Sequence, residues 1–468
     1  MSQTPIERLR EYLGQLPPQS RALLMRGFER AIERGEDTAV ATLVLEQLRK
    51  VVRGAEEDEP VQPRTDDPAR LLFRPIEPFL AESDFPVRSG QIRRASLLPI
   101  WQWLGRDGAP ESGREFETAL AEARQCGATS AIEAATRKFQ LAAADAIFKI
   151  AIARPTDEQQ RALARVGPPS VIEDLLSIGS VLRGREAMDL LGSRLPRNLR
   201  LLDDSQIETV TAALDIPSLQ TPQLVPFALS LIMQRLTAPW QIIRLAIKLA
   251  ASDDEIRVAA TPYGVAVTIA LHELAFLAAC LRTDIRRGQF EQVAEQLKTL
   301  HDGLRGLRTE LDLRNDSNWG RQLTSIRADI SNTLQSEIDS VPGRVRRILR
   351  QRAEKDISAG AKVDSIEVEE TAALIYFVAV CRTYASELAI NEVTLRTYSD
   401  LQHYVEQSTE ALVESLRGGD ARTRAYRQLQ VAAAIRFCEV LFGQDYASLM
   451  SRAAENALAG ERTPSRAG

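Results

Sequence analysis

Histidine and cysteine are nearly missing from this chain. Its 468 residues hold three His and four Cys, and none of them is grouped with another. Metal centres need short ligand spacings, and nucleophilic sites need a nucleophile beside a base, so neither is predicted. Lysine is scarce too, at only seven of the 59 basic residues. That bias points to a GC-rich coding sequence, and hence to a bacterial source, more than to a guanidinium-specific role. Aromatic residues make up 5%, which with abundant Leu, Ala and Arg suits packed helices rather than sheets. Strand-type alternation is almost absent, so little or no sheet is expected.

Further absences narrow the function. No GxxxxGK[ST] loop and no GxSxG elbow occurs, and Gly179 and Gly184 lack the spacing and the preceding strand of a phosphate cradle. A formal charge of −5 argues against a generally basic nucleic-acid binder. The opening MSQTPIERLREYL is amphipathic and polar, without the apolar core of a signal peptide. The run from Tyr263 to Leu281 has the length of a bilayer crossing. His272 and Glu273 sit at its middle, however, and a charged centre is costly in lipid, so a core helix is predicted. Cys126, Cys280, Cys381 and Cys438 read as small buried residues in a reducing compartment.

What is present is helix, written in capping chemistry. Thr4-Pro5-Ile6-Glu7 combines an N-cap, a first-turn Pro and a capping-box Glu, and Ser130…Glu133, Thr156…Gln159 and Ser170…Glu173 repeat the spacing. Residues 1–53 read as three short helices with stripes Ile6/Leu9/Leu13/Leu16, Leu24/Phe28/Ile32 and Val40/Val44/Leu48/Val51. Residues 54–68 (GAEEDEPVQPRTDDP) have the composition of an acidic disordered linker. A short-helix domain is expected over 69–255. Its Pro-interrupted docking segment leads into helices broken at Pro155, Pro168-Pro169, Pro196, Pro217, Pro222 and Pro239. A long-helix domain is expected over 256–459, followed by a disordered tail, 460–468.

The long-helix part carries two heptad seams. Val293, Leu297, Leu300, Leu304, Leu307 and Leu311 form one; Leu323, Ile326, Ile330, Leu334, Ile338 and Val341 form the other. A short loop through Asp316-Ser317-Asn318 joins them, which predicts an antiparallel helical hairpin. The pattern leaves open whether the seams close within one chain or between two. The expected fold is therefore all-α and multi-helical, an irregular short-helix bundle followed by long antiparallel helices.

Candidate sites are few. His272-Glu273 matches the first half of an HExxH zinc motif, but position 276 is Phe276, so the two-imidazole grip is missing. A His bonded to a nearby polar group is the simpler reading. Asp203-Asp204, Asp253-Asp254 and Glu369-Glu370 are read as acids complementing helix dipoles. Arg93-Arg94-Ala95-Ser96 has the form of a basophilic phosphorylation sequence, with Ser96 as N-cap or turn residue the competing reading. Tyr376, Phe377, Tyr384, Tyr398 and Tyr404 read as inter-helix packing. No catalytic, cofactor-binding or metal-ligating residue is assigned.

The sharpest feature is Gly343–Lys355 (GRVRRILRQRAEK). Arg344, Arg346, Arg347, Arg350, Arg352 and Lys355 against Glu354 give a local charge of +5. Val345, Ile348 and Leu349 would add a small apolar edge. Such a helix could dock an acidic protein, lie on an anionic membrane or touch nucleic-acid phosphates. It could also be neutralised internally by Asp356, Asp364, Glu367, Glu369 and Glu370, or by the linker acids Glu56–Glu59.

The expected function is a non-enzymatic cytoplasmic scaffold or adaptor with protein partners, and homo-oligomers are compatible with the seams. The alternative is a peripheral membrane or polyanion binder acting through 344–355, with weak anionic-membrane contact and nucleic acid disfavoured. A third reading is an enzyme with a dispersed active site in 112–255.

Overall fold

The computed structural model describes residues 67–81, 85–152, 156–290, 292–351, 357, 361–417 and 421–459, together with Leu13 and Val44. The three expected N-terminal helices, the Thr4 capping box, the linker up to residue 66 and the tail 460–468 lie outside the described residues. The chain divides into two compact units, Met1–Leu71 and Leu72–Gly468. Apart from the start of the helix Pro68–Phe73, everything described below belongs to the second unit.

The architecture is all-α. Among the described residues there are 18 α-helices and one two-stranded sheet, a parallel pairing of β1 (Leu80–Ala81) with β2 (Ile92–Arg93). The short helix α1 (Pro68–Phe73) comes first, followed after the strands by α2 (Leu97–Trp103). Next are α3 (Pro110–Gln125), α4 (Thr129–Ala151), α5 (Asp157–Val166), α6 (Pro169–Arg183), α7 (Arg185–Arg194) and α8 (Asp204–Leu214). Then come α9 (Val225–Met233), α10 (Ile242–Ala250) and α11 (Glu255–Ala259). The helices now lengthen: α12 (Val265–Arg286), α13 (Val293–Glu310), α14 (Asn318–Leu349), α15 (Ser365–Tyr384) and α16 (Asn391–Glu414). The last two are α17 (Ala421–Phe442) and α18 (Gln444–Ala459).

Several helix starts follow local chemistry. The side chains of Thr156, Asp203, Asp254, Ser317 and Asp364 each accept a bond from a first-turn amide, satisfying donors that have no intrahelical partner. Two expected boxes shift. Helix α4 starts at Thr129 and α6 at Pro169, so Ser130 and Ser170 lie inside the helices and do not cap them. At 169 the proline itself sets the helical φ and needs no donor, so the N-cap falls at Pro168 and not at Ser170.

The tightest packing in the first part is α4 across α3 and α6. The Pro-interrupted segment docks onto it: Trp101 meets Phe139 edge-on at 6.1 Å, and the buried Gln140 amide donates to the Leu72 carbonyl at 3.0 Å. Helix α12 ties the two parts together, because it touches α9 and α10 on one side and α13 and α14 on the other. This is the run long and apolar enough to cross a membrane. Here Ala266, Val267, Ile269, Ala270, Leu271, Leu274, Ala278, Leu281 and Ile285 are buried among the neighbouring helices, the role expected for it.

All twelve seam residues, from Val293 to Leu311 and from Leu323 to Val341, are buried. The seams close within the chain. Helices α13 and α14 follow one another through the short connection 311–317, yet α13 packs chiefly on α12 and α15, α14 on α16, α12 and α15, and neither along the other. The reason lies in α12 and α15: both are apolar around most of their circumference, so each can offer surface to two seams at once. Each fully buried Leu of this kind contributes about 1.5–3 kcal/mol of transfer free energy.

Candidate functional site

Arg344, Arg346 and Arg347 lie on the last two turns of α14, and Arg350 is the residue that ends it. Arg352 and Lys355 lie outside the described residues. Basic side chains at a helix C-terminus complement the negative pole of its dipole. The expected apolar edge is turned inward: Val345, Ile348 and Leu349 are buried. Arg346, Arg347 and Arg350 are left exposed, with Arg344 half-buried. The helix end is fastened from α17. The Gln430 side chain, only 2% exposed, donates to the carbonyls of Ile348 at 3.0 Å and Arg350 at 3.1 Å. Those are orphan carbonyls that a helix terminus must otherwise leave to water.

Internal pairing takes up part of the charge. Arg347 bridges to Glu367 at 2.7 Å, and the Arg346 guanidinium sits over the Tyr404 ring at 5.7 Å. Two other expected counter-charges are engaged elsewhere: Asp364 caps α15, and Glu369 pairs with Arg436 at 3.4 Å, while Glu370 is exposed. Arg350 makes no ion pair among the described residues. Asp356 and the linker acids lie outside them.

A second polar constellation lies where the loop from Phe85 to Gln91 crosses α9 and α12; it contains the expected His272-Glu273 pair, together with Arg88, which sequence reasoning missed. Arg88 Nη1 donates to Ser230 Oγ at 2.9 Å and to the Ser89 carbonyl at 3.0 Å, while its Nε stands 4.0 Å from Glu273 without a hydrogen-bond partner. His272 Nε2 meets the Pro86 carbonyl at 2.5 Å, which requires Nε2 to carry the proton. Its Nδ1 is buried and unbonded. The Phe85 ring meets His272 edge-on at 5.1 Å and Phe276 at 5.5 Å. The residue that breaks the HExxH pattern is thus a packing partner of the loop.

The chemistry of this cluster is positional. Burial, with the Arg88 charge adding to it, holds the His272 imidazole below its ordinary range against the pull of the Pro86 carbonyl and Glu273. Burial likewise lowers the Arg88 guanidinium, with Glu273 opposing. A neutral imidazole bonded to a backbone carbonyl holds the loop in place. Gly90 allows the loop its close approach: it has φ +81°, and a Cβ there would stand 2.4 Å from the Pro226 carbonyl oxygen.

Ser96 is folded away. It is 1% exposed, and its hydroxyl donates to Asp174 at 2.6 Å. The same carboxylate accepts from the Arg93 amide at 3.1 Å and guanidinium at 3.0 Å, and Arg93 also bridges to Glu173 at 2.9 Å. Ser96 stands at the N-cap position of α2, yet its side chain bonds across to α6 rather than to its own helix.

The cysteines only partly match expectation. Cys381 and Cys438 are buried, and burial pushes both thiols up, so neither is poised as a nucleophile. Cys280 is half-buried, and Cys126, just past the end of α3, is exposed. Of the clustered aromatics Phe377 is buried, whereas Tyr376 is 53% exposed. Among the described residues no group of three or more His, Cys, Asp or Glu could hold a metal ion. No protein-family model, curated protein or solved structure matches the chain.

Proposed function

We infer that the chain is a non-enzymatic helical scaffold or adaptor of the bacterial cytoplasm, with the end of α14 as a docking edge for an acidic protein partner. One observation carries this reading. Arg346, Arg347 and Arg350 are exposed on a helix end whose apolar side is buried and whose last carbonyls are bonded by Gln430. A cationic edge held by its own core loses little freedom when a partner docks, and opposite charge steers that partner to it. A peripheral membrane role is the second reading. With Val345, Ile348 and Leu349 turned inward it would rest on charge alone, about 1 kcal/mol per basic group near an anionic surface.

The test is affinity purification from the native cell, with the wild type beside a variant carrying Arg344, Arg346, Arg347 and Arg350 changed to Glu. A specific protein that the wild type retains and the variant loses supports the docking edge. Identical partner lists would return these arginines to internal charge balance. Flotation with phosphatidylserine vesicles separates the second reading: wild-type binding that the variant lacks would favour the membrane.

A further inference from the structure

Helix α8 presents Glu208, Thr211, Ala212 and Asp215 at spacings of three, one and three, which place them on one face. That face forms a wall of an open cavity of about 530 Å3. Ile207 and Leu214, both buried, give it an apolar floor together with Leu249 of α10. Lys248 and Tyr263 also line it. Its volume lies in the range of small-molecule sites. No His or Cys lines it, so no nucleophile–base pair is set up there.

Its charge is lopsided. The one ammonium, on Lys248, is already paired with Asp204 at 3.1 Å. Glu208 and Asp215 are exposed and have no ion-pair partner among the described residues. Seven residues apart on an α-helix, their Cα positions are separated by about 10 Å along the groove. Asp215 also occupies the C-cap of α8, whose last turn holds no basic residue. A carboxylate there adds to the negative pole of the helix instead of offsetting it. Conflicts of this local kind are characteristic of functional positions.

We propose that this groove binds a linear aliphatic polyamine. Its two terminal ammonium groups pair with Glu208 and Asp215, and its methylene chain lies over Ile207, Leu214 and Leu249. The spacing of the two positions along the groove, about 10 Å between Cα atoms, sets the length: spermidine bridges the two acids, putrescine is too short to do so, and butylamine reaches only one.

Isothermal titration calorimetry of the full chain at low salt tests this, with spermidine, putrescine and butylamine as probes. The variants are Glu208→Gln, Asp215→Asn and, as a surface control on α16, Glu410→Gln. The expected result is saturable one-to-one binding of spermidine, weakened about fivefold by either groove substitution and unchanged by the control. Putrescine binds about as weakly as spermidine does to the single variants. Asp215→Asn also raises the melting temperature of the ligand-free protein, since it relieves the dipole conflict. Absence of saturable spermidine binding would overturn the proposal. So would equal affinity for putrescine, or an equal loss in Glu410→Gln, which would mark diffuse attraction to a net-negative surface.

Discussion

Replacing Gly90 by alanine puts two separable strains on the loop that crosses α9 and α12. The first is conformational: at φ +81° an L-residue is held in the left-handed region, at about 1–2 kcal/mol. The second is steric. The new Cβ would stand 2.4 Å from the Pro226 carbonyl oxygen and 2.5 Å from Ser230 Oγ, so the loop must lift. Lifting stretches the Arg88–Ser230 bond of 2.9 Å, and a hydrogen bond to a charged group contributes about 1.5–3 kcal/mol. Together Gly90→Ala should cost about 2.5–5 kcal/mol. Gly127 supplies the control, because it has φ +64° and a Cβ at that position would meet nothing within 4 Å. Gly127→Ala should therefore cost only the conformational part, about 1–2 kcal/mol. Urea unfolding of both variants, followed by tryptophan fluorescence, measures the difference. Equal midpoints for the two variants would refute the close-approach argument and with it the view that the loop is clamped.

Four further outcomes are expected. Because the folded state holds His272 below its ordinary value of 6.5, the unfolded chain takes up a proton first as pH falls. The stability linked to His272 is therefore fully present above that pH and is lost as pH falls through it towards the lower folded-state value. His272→Gln should flatten the acid-side fall in the urea midpoint between about pH 7 and pH 5, and an unchanged slope would contradict the assignment. Asp174→Ala strands the Arg93 amide and the Ser96 hydroxyl, while the Arg93 guanidinium keeps Glu173, and should cost about 1–3 kcal/mol per stranded donor by urea unfolding. By the same geometry a basophilic kinase should label Ser96 in denatured but not in native protein, as read by mass spectrometry. Gln430→Leu removes the donor to the Ile348 and Arg350 carbonyls and should cost about 1–3 kcal/mol. Faster amide exchange confined to the last turns of α14 would accompany it, and unchanged exchange there would show that the helix end is held by something else.

The legible parts of the structure were those written in local periodicity. The seams Val293–Leu311 and Leu323–Val341 announced two long helices, and every residue in them is buried. Thr156 and the acids Asp203 and Asp254 sit at helix starts, as capping chemistry and dipole complementarity require. Less legible were positions where two elements compete for one side chain. Ser96 reads as a cap, yet it bonds to Asp174, 78 positions along the chain. The candidate site was half legible. Charge density marked Arg344–Arg350, but nothing local told that Val345, Ile348 and Leu349 face the interior or that Gln430, some 80 positions away, holds the helix end. Of the Arg88–His272–Glu273 cluster the sequence marked only His272-Glu273; Arg88 had no signal, since it comes from a loop far from that helix in the chain.

By itself the sequence determined helix, in type and in rough extent, because helix formation is decided by residues three and four apart and by caps within one turn. It also determined which faces must be buried. Only the tertiary structure decided what buries them. The choice of α12 and α15 as partners of both seams, the inward turn of the basic helix's apolar edge, and the seating of Gly90 against the Pro226 carbonyl all depend on contacts between residues far apart in the chain. Burial of apolar surface is non-directional, so a stripe of leucines specifies that a surface be covered without specifying by which neighbour.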